Sequence, residues 1–159
     1  MNRPLAFIAS LALASSTLTA PASSQSTTDR QALLALHEKV MAAHRASDVE
    51  MLLADESADY VVASRGEVTR PSVQERRDRL GPYLGRTRFS EYRDLVPPSV
   101  EVSADGTLGW AVVQVTGKGV QTASDGSSRP LEFTSAWIEL YRKVDGVWKR
   151  TGNVSNFKE

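Results

Sequence analysis

Two histidines, His37 and His44, fall together in the stretch HEKVMAAHRASD, and the chain has no others. Imidazole titrates nearest neutrality, so either ring could serve as a general base, a hydrogen-bond acceptor or a metal ligand. At i and i+7 of a helix the two share a face but stand two turns apart, about 10.5 Å along the axis. One ion cannot join them unaided, since imidazole–metal bonds are about 2 Å. His37 has no acid at i+3 or i+4, and Asp48, four residues after His44, is better used as a helix cap. No metal site and no cofactor are therefore expected. The absence of cysteine removes thiol nucleophiles, thiolate metal sites and disulfides together. No Ser-His-Asp order, phosphate loop or HExxH is present. His44 and His37 remain the candidate catalytic groups. His37 reads first as a packed, hydrogen-bonded ring. For His44, nearer the helix end, a packed ring and a group at a cavity mouth both stay open.

The elements that must position these rings can be read from periodicity. Over residues 29–46, Leu33, Leu34, Leu36, Val40 and Met41 share an arc of about 160° on a helical wheel. Both histidines lie near its middle and so face the interior or its mouth. Asp48 caps a second short helix over residues 49–54. Residues 60–63 suit a strand, followed by a turn at Arg65-Gly66-Glu67. Ser72-Val73-Gln74-Glu75, just after Pro71, is a capping box that opens a third helix ending near Gly81-Pro82 or Gly85. From Phe89 the period becomes two. Asp105-Gly106, Asp125-Gly126 and Asp145-Gly146 separate strand-like runs at residues 99–103, 108–122, 131–143 and 147–157. Asp-Gly between such runs signals a hairpin with positive φ at both turn positions, so four strands form a meander. Gly117 and Gly119 read as bulge positions.

The predicted fold class is α+β, with N-terminal helices packed on one face of a strongly curved antiparallel sheet. A curved sheet closed by helices makes a cone with an inner cavity. The segments AAHRASDVEMLLADESADYVV, SRGEVTRPSVQE and LEFTSAWIELYRKVDGVWKRTGNVSN carry a resemblance over residues 29–157. The chain resembles the NTF2-like superfamily, which includes SnoaL-like, DUF4440-type and ketosteroid-isomerase-like domains. That resemblance implies a cone with a pocket at its wide end, often in a homodimer paired through the sheet. It does not carry the isomerase chemistry. The position of the oxyanion-binding tyrosine matches Val40 here, and that of the aspartate base matches Val62 or its neighbours Val61 and Ala63. None of these can move a proton or hold an enolate.

The chain has 159 residues, the length of about one domain. Arg3, an apolar run over residues 5–14 broken only by Ser10, and Ala20-Pro21-Ala22 form the three-part pattern of a secretory signal peptide. The apolar run is shorter than the about 18–20 residues that span a bilayer. The expected organisation is a signal peptide at residues 1–22 cleaved near Ala22, a disordered polar leader at 23–28 and one domain at 29–159. The mature chain would be secreted or periplasmic, with no membrane attachment. Of 19 basic and 19 acidic residues, the signal peptide removes only Arg3, which leaves a net charge of −1. A nucleic-acid binder ordinarily carries a strong basic balance, so no nucleic-acid partner is expected.

Strand aromatics suggest a pocket for an apolar ligand. Trp137 shares a parity with Phe133 and Tyr141, whereas Ala136, Ile138 and Leu140 take the other; Trp110 shares one with Leu108 and Val112. Both faces of the Trp137 strand are therefore largely apolar, and a homodimer partner is the simplest cover for the outer one. The segment 65–94 holds eight arginines among five acids, which reads as a solvated helix face with mixed pairs. Arg65, at the strand–turn junction, is kept as a pocket-rim residue, and Asn153 as a polar contact. The ligand-binding set is thus Tyr60, Arg65, Trp110, Trp137 and Asn153. The functional expectation is a domain that binds a small, largely apolar molecule without transforming it. The alternatives are an enzyme of the same fold using a pocket histidine for proton transfer, and a dimeric interaction module with a vestigial cavity.

Overall fold

The computed structural model describes residues 22–156. The expected signal peptide thus lies outside the described residues apart from Ala22, as does position 157 of the last strand run. In chain order the elements are α1 (Ala22–Ala46), α2 (Val49–Leu53), β1 (Glu56–Ser64), β2 (Glu67–Thr69), α3 (Val73–Gly85), β3 (Thr87–Asp94), β4 (Ser99–Val102), β5 (Leu108–Thr122), β6 (Ser128–Val144) and β7 (Val147–Asn156). Helices pack on a single curved sheet of order β2-β1-β7-β6-β5-β3, with β4 also pairing β5. The pairings are antiparallel except β1 with β7, which is parallel.

α1 begins at Ala22, so residues 23–28, expected as a disordered leader, are helical. No proline or glycine interrupts residues 22–28, and the turn that follows is tied to the sheet. Buried Asp29 accepts hydrogen bonds from Trp148 Nε1 at 2.8 Å and Lys143 Nζ at 2.7 Å. The apolar arc is as expected except at its edge. Leu34 is 40% exposed, and Ala43 on the opposite edge is buried. Leu33 packs with Val100, Ala111, Val113, Tyr141 and Trp148 in the narrow end of the cone. Val40 and Ala43 meet Leu52 and Leu84 under α2 and α3.

The capping signals act as read. Asp48 accepts from Met51 N at 3.0 Å. Ser72 and Glu75 bond each other's backbone N–H reciprocally. The Asp-Gly turns divide into two kinds. At 145–146 both residues have positive φ. At 105–106 and 125–126 only the glycine does, because each aspartate carboxylate accepts the N–H two residues on, from Thr107 at 3.1 Å and Ser127 at 2.9 Å. That local bond holds the first position out of the left-handed region.

β3 was not legible as a strand. Its sequence, TRFSEYRD, leaves Arg88, Ser90 and Arg93 in solvent and buries only Thr87 and Tyr92, as befits an edge strand. The irregularity expected on β5 falls here instead: Phe89 pairs Gly119 and Glu91 pairs Lys118, which leaves Ser90 as the extra residue. β5 and β6 stay in continuous register. Gly117 and Gly119 on β5 make room. A Cβ at Gly117 would lie 2.6 Å from the Phe133 ring, and one at Gly119 would lie 2.1 Å from the Arg88 carbonyl oxygen.

Gly119→Ala cannot be accommodated without moving β3 off β5. We expect it to lower unfolding stability by about 2 kcal/mol, read as a shift in the urea midpoint at unchanged slope. An unshifted midpoint would mean that the two backbones do not approach this closely.

Candidate functional site

The concave face of the sheet and the three helices enclose a chamber of about 620 Å³. α1 contributes Val40 and His44, and α2 contributes Leu52. α3 contributes Arg76, Arg79, Leu80 and Tyr83. The sheet supplies Tyr60 from β1, Tyr92 from β3, Phe133 and Trp137 from β6, and Arg150, Asn153 and Ser155 from β7. A second, smaller space of about 420 Å³ lies along the β1–β2 hairpin and is lined by Val62, Ser64, Glu67 and Thr69. Arg65, Arg79, Asn153 and Ser155 line both spaces and so mark the neck between them.

Of the residues nominated from sequence, His44, Tyr60, Arg65, Trp137 and Asn153 come together on the chamber wall. Trp110 does not. It stands 42% exposed on the opposite face of the sheet, because Gly109, Ala111, Val113 and Val115 are the inward positions of β5. His37 is not on the wall but directly behind it. Val40 lines the chamber and Val62 the groove, both with aliphatic side chains.

His37 is 2% exposed and lies between two carboxylates. Its Nδ1 is 3.1 Å from Glu139 Oε2, and its Nε2 is 3.0 Å from Asp94 Oδ1. Both ring nitrogens face acceptors, which suits the doubly protonated ring. Burial works against that charge, but the bonds and charges of Glu139 and Asp94 outweigh it and raise the pKa of His37. Glu139 has no exposed surface. Burial pushes its carboxyl up, yet His37, Arg150 and the Tyr141 hydroxyl pull it down to about 2. Its other oxygen accepts from Trp137 Nε1 at 3.0 Å, and this bond fixes the indole plane as chamber wall.

His44 has the opposite environment. Its Nδ1 is 2.8 Å from the Val40 carbonyl oxygen, which can only accept, so Nδ1 carries the proton. The ring stacks on Tyr92, with centroids 4.5 Å apart and planes 4° from parallel. Burial depresses its pKa to about 4, assisted by the charge of Arg150. At neutral pH the ring is therefore uncharged. Nε2 then carries the free lone pair, and the ring lines the chamber.

The floor carries a third arrangement. The Glu56 carboxylate, with no exposed surface, is gripped by Arg76 from α3 and by Arg150 from β7. Arg76 Nη2 and Arg150 Nη2 each donate to Glu56 Oε1 at 2.5 Å. Arg150 also donates to the Leu52 carbonyl at 2.9 Å. The Arg76 guanidinium lies 3.4 Å above the Tyr60 ring centroid, a cation–π geometry. Burial pushes the Glu56 carboxyl up, and the two guanidiniums oppose that shift.

Sequence reasoning missed Glu56, Arg76, Asp94, Glu139 and Arg150. Three of these carried a usable signal. Glu139 shares the inward parity of Trp137 and Tyr141, and Arg150 that of Trp148. Arg76 falls in the Val73, Leu80 and Leu84 stripe of α3 rather than on its solvated face. Among the described residues, no group of three His, Asp or Glu side chains is placed to hold a metal ion.

No protein-family model matches the sequence, and no curated protein matches it significantly. Solved structures match the fold. An NTF2-like superfamily protein from Salmonella enterica superposes with a TM-score of 0.66 at 14% identity, over 84% of this chain and 93% of that one. A ketosteroid isomerase-like protein from Erwinia carotovora gives 0.62 at 16% identity, over 80% and 94%. An NTF2-like protein of unknown function in nutrient uptake from Rhodospirillum rubrum gives 0.60 at 22% identity, over 80% and 98%. The fold is the NTF2-like α+β cone.

The two histidines should titrate on opposite sides of the ordinary value of 6.5. Stability contributed by His37 is complete below pH 6.5 and is lost as pH rises through its raised folded pKa. His44 acts in the other direction: the unfolded chain takes up a proton near pH 6.5 and the folded chain only near 4, so stability falls as pH drops through that window. Nitrogen-15 NMR titration should find His37 protonated when His44 is neutral at pH 6.5. The same protonation state in both rings at that pH would contradict the assigned partners.

Proposed function

We propose that this NTF2-like chain binds a small, largely apolar molecule in the chamber. The observation that carries this reading is a space of about 620 Å³ walled by Tyr60, Tyr92, Phe133 and Trp137 and by the aliphatic Val40, Leu52 and Leu80. Pockets of this size, mostly apolar with a few placed polar atoms, are the usual form of a small-molecule site. The polar atoms on offer suit a ligand with a hydrogen-bond donor, which His44 Nε2 would accept. Trp137, Tyr60 and Arg76 are already held by neighbours, so little ordering remains for the ligand to drive.

A second reading is favoured by His44 itself. A neutral imidazole with a free lone pair, on the wall of an apolar chamber, can take a proton from a bound molecule. Turnover lost in His44→Gln with binding retained would promote this reading above simple binding.

The outer face of the sheet supports pairing with a second copy. Leu108, Trp110, Val112 and Val154 stand exposed there, joined across the register by Ile138 and Leu140. One such strip on each copy is self-complementary about a two-fold axis.

Two measurements test these readings. The chain has three tryptophans, of which Trp137 lines the chamber, Trp110 lies on the outer face and Trp148 is in the core. In a nitrogen-15 spectrum titrated with two-ring aromatic and alicyclic probes such as 1-naphthylacetamide, the Trp137 indole signal should move while those of Trp110 and Trp148 stay. His44→Ala should change the affinity. A Trp137 signal untouched by the whole panel would remove the binding reading. For the second copy, Ile138→Glu and Trp110→Glu should each sediment as a monomer where the parent chain is a dimer. A dimer that survives both would refute an interface on this face.

A further inference from the structure

The charges inside the cone cancel. Glu56, Asp94 and Glu139 stand against Arg76, Arg150 and protonated His37. The chamber wall itself carries Arg65, Arg76, Arg79 and Arg150 and no acidic residue. Arg76 and Arg150 are consumed by the buried network. Arg79 at the neck is not. Its neighbours on α3 are engaged, Arg76 with Glu56 and Arg77 with Glu50 at 2.6 Å. Arg79 makes no hydrogen bond or ion pair with any described residue. It lines both the chamber and the groove, together with Asn153 and Ser155. The Tyr60 hydroxyl donates to Asn153 Oδ1 at 3.4 Å, which leaves the Asn153 amide N–H groups available at the opening. Glu67, in the groove, is the single acid among the residues that line the two spaces.

Resting on the binding reading above, we infer that the ligand is an organic monoanion. Its carboxylate sits at the neck against Arg79 and the Asn153 amide, and its apolar body fills the chamber. The polarity gradient dictates this orientation. The interior is electrically balanced and largely aromatic, so a charged head placed there would lose hydration with no spare cation to meet it. At the neck the head stays partly wet and gains a charge-assisted bond from a guanidinium that has no competing partner. Neutral His44 adds no charge to this pairing and leaves its acceptor for a donor on the body.

The test compares two probes with one body, 1-naphthylacetate and 1-naphthylacetamide, followed through the Trp137 indole signal. The acid should bind about tenfold more tightly at low salt. The gap should narrow in about 0.5 M sodium chloride, as expected for a partly exposed charge pair. Arg79→Gln, a change at an exposed position, should bring the acid down to the affinity of the amide measured in the same variant. Equal affinities in the parent chain would overturn the anionic head while leaving apolar binding intact. A preference undiminished in Arg79→Gln would overturn it equally. If neither probe moves Trp137, the binding reading itself fails and this inference falls with it.

Discussion

A carboxylate that meets no water sets the geometry of the whole wide end. Glu56 on β1 holds Arg76 of α3 and Arg150 of β7 at once. α3 has just two buried side chains, Arg76 and Leu84. Leu84 anchors its C-terminal end in the apolar cluster under α1 and α2. Leu80 and Tyr83 pack beside it, and the N-terminal half of the helix is held by the ion clamp. A helix docked by a continuous apolar stripe would settle onto the sheet until the side chains met, since hydrophobic attraction has no preferred separation. A guanidinium–carboxylate contact has a fixed length and direction. Removing one partner from such a buried group typically costs about 3–5 kcal/mol, because the remaining charge is stranded. Hollowness is thus a product of how the roof is attached, and the same attachment lays Arg76 over Tyr60 as part of the chamber floor.

α1 is fastened by a parallel device. His37 reaches from the helix to Glu139 on β6 and Asp94 on β3, and Glu139 in turn orients Trp137 through its indole N–H. Seven residues on, His44 occupies the same helix face and carries the opposite charge state. The difference owes nothing to the helix. His37 meets two carboxylates, whereas His44 meets its own backbone carbonyl and the face of Tyr92. One imidazole therefore serves as a structural cation and the other as an uncharged acceptor. The sheet strands opposite each ring decide which role it takes.

Much of the fold could be read from local rules. The amphipathic arc of α1, the caps at Asp48 and Ser72 and the three Asp-Gly corners all rest on interactions within a few residues. The edge strand β3 was hidden because three of its eight positions are exposed and two of those are arginine. The parallel β1–β7 pairing was hidden because it joins distant segments with no turn between them. Inward parity brought Tyr60, Trp137 and Asn153 to the chamber, and the same rule, followed along β5, sends Trp110 outward. The buried ions were the harder part. Arginine and glutamate ordinarily read as surface, and Arg76, Glu139 and Arg150 betray themselves only by standing in register with aromatic and aliphatic neighbours. Their partners come from other elements, so spacing along the chain could name each residue and not the pairs.

What remains open in the chamber after these pairings bears on its chemistry. The resemblance matches the isomerase acid and base positions to Val40 and to Val62 or its neighbours Val61 and Ala63, none of which can move a proton, so a proton-transfer mechanism here would be built around His44. With its conjugate acid near pKa 4, that ring is a weak base at neutral pH and a good, permanently available acceptor. His44, the Asn153 amide and the Arg79 guanidinium are separate polar points on a largely apolar wall. On the proposed binding reading, such points would discriminate by orientation and length. A molecule that satisfies every point must carry its donor and its head at the correct separation, and one that misses a point leaves it desolvated. On the proposed binding reading, specificity would rest on the few polar groups that the internal ion network leaves unused.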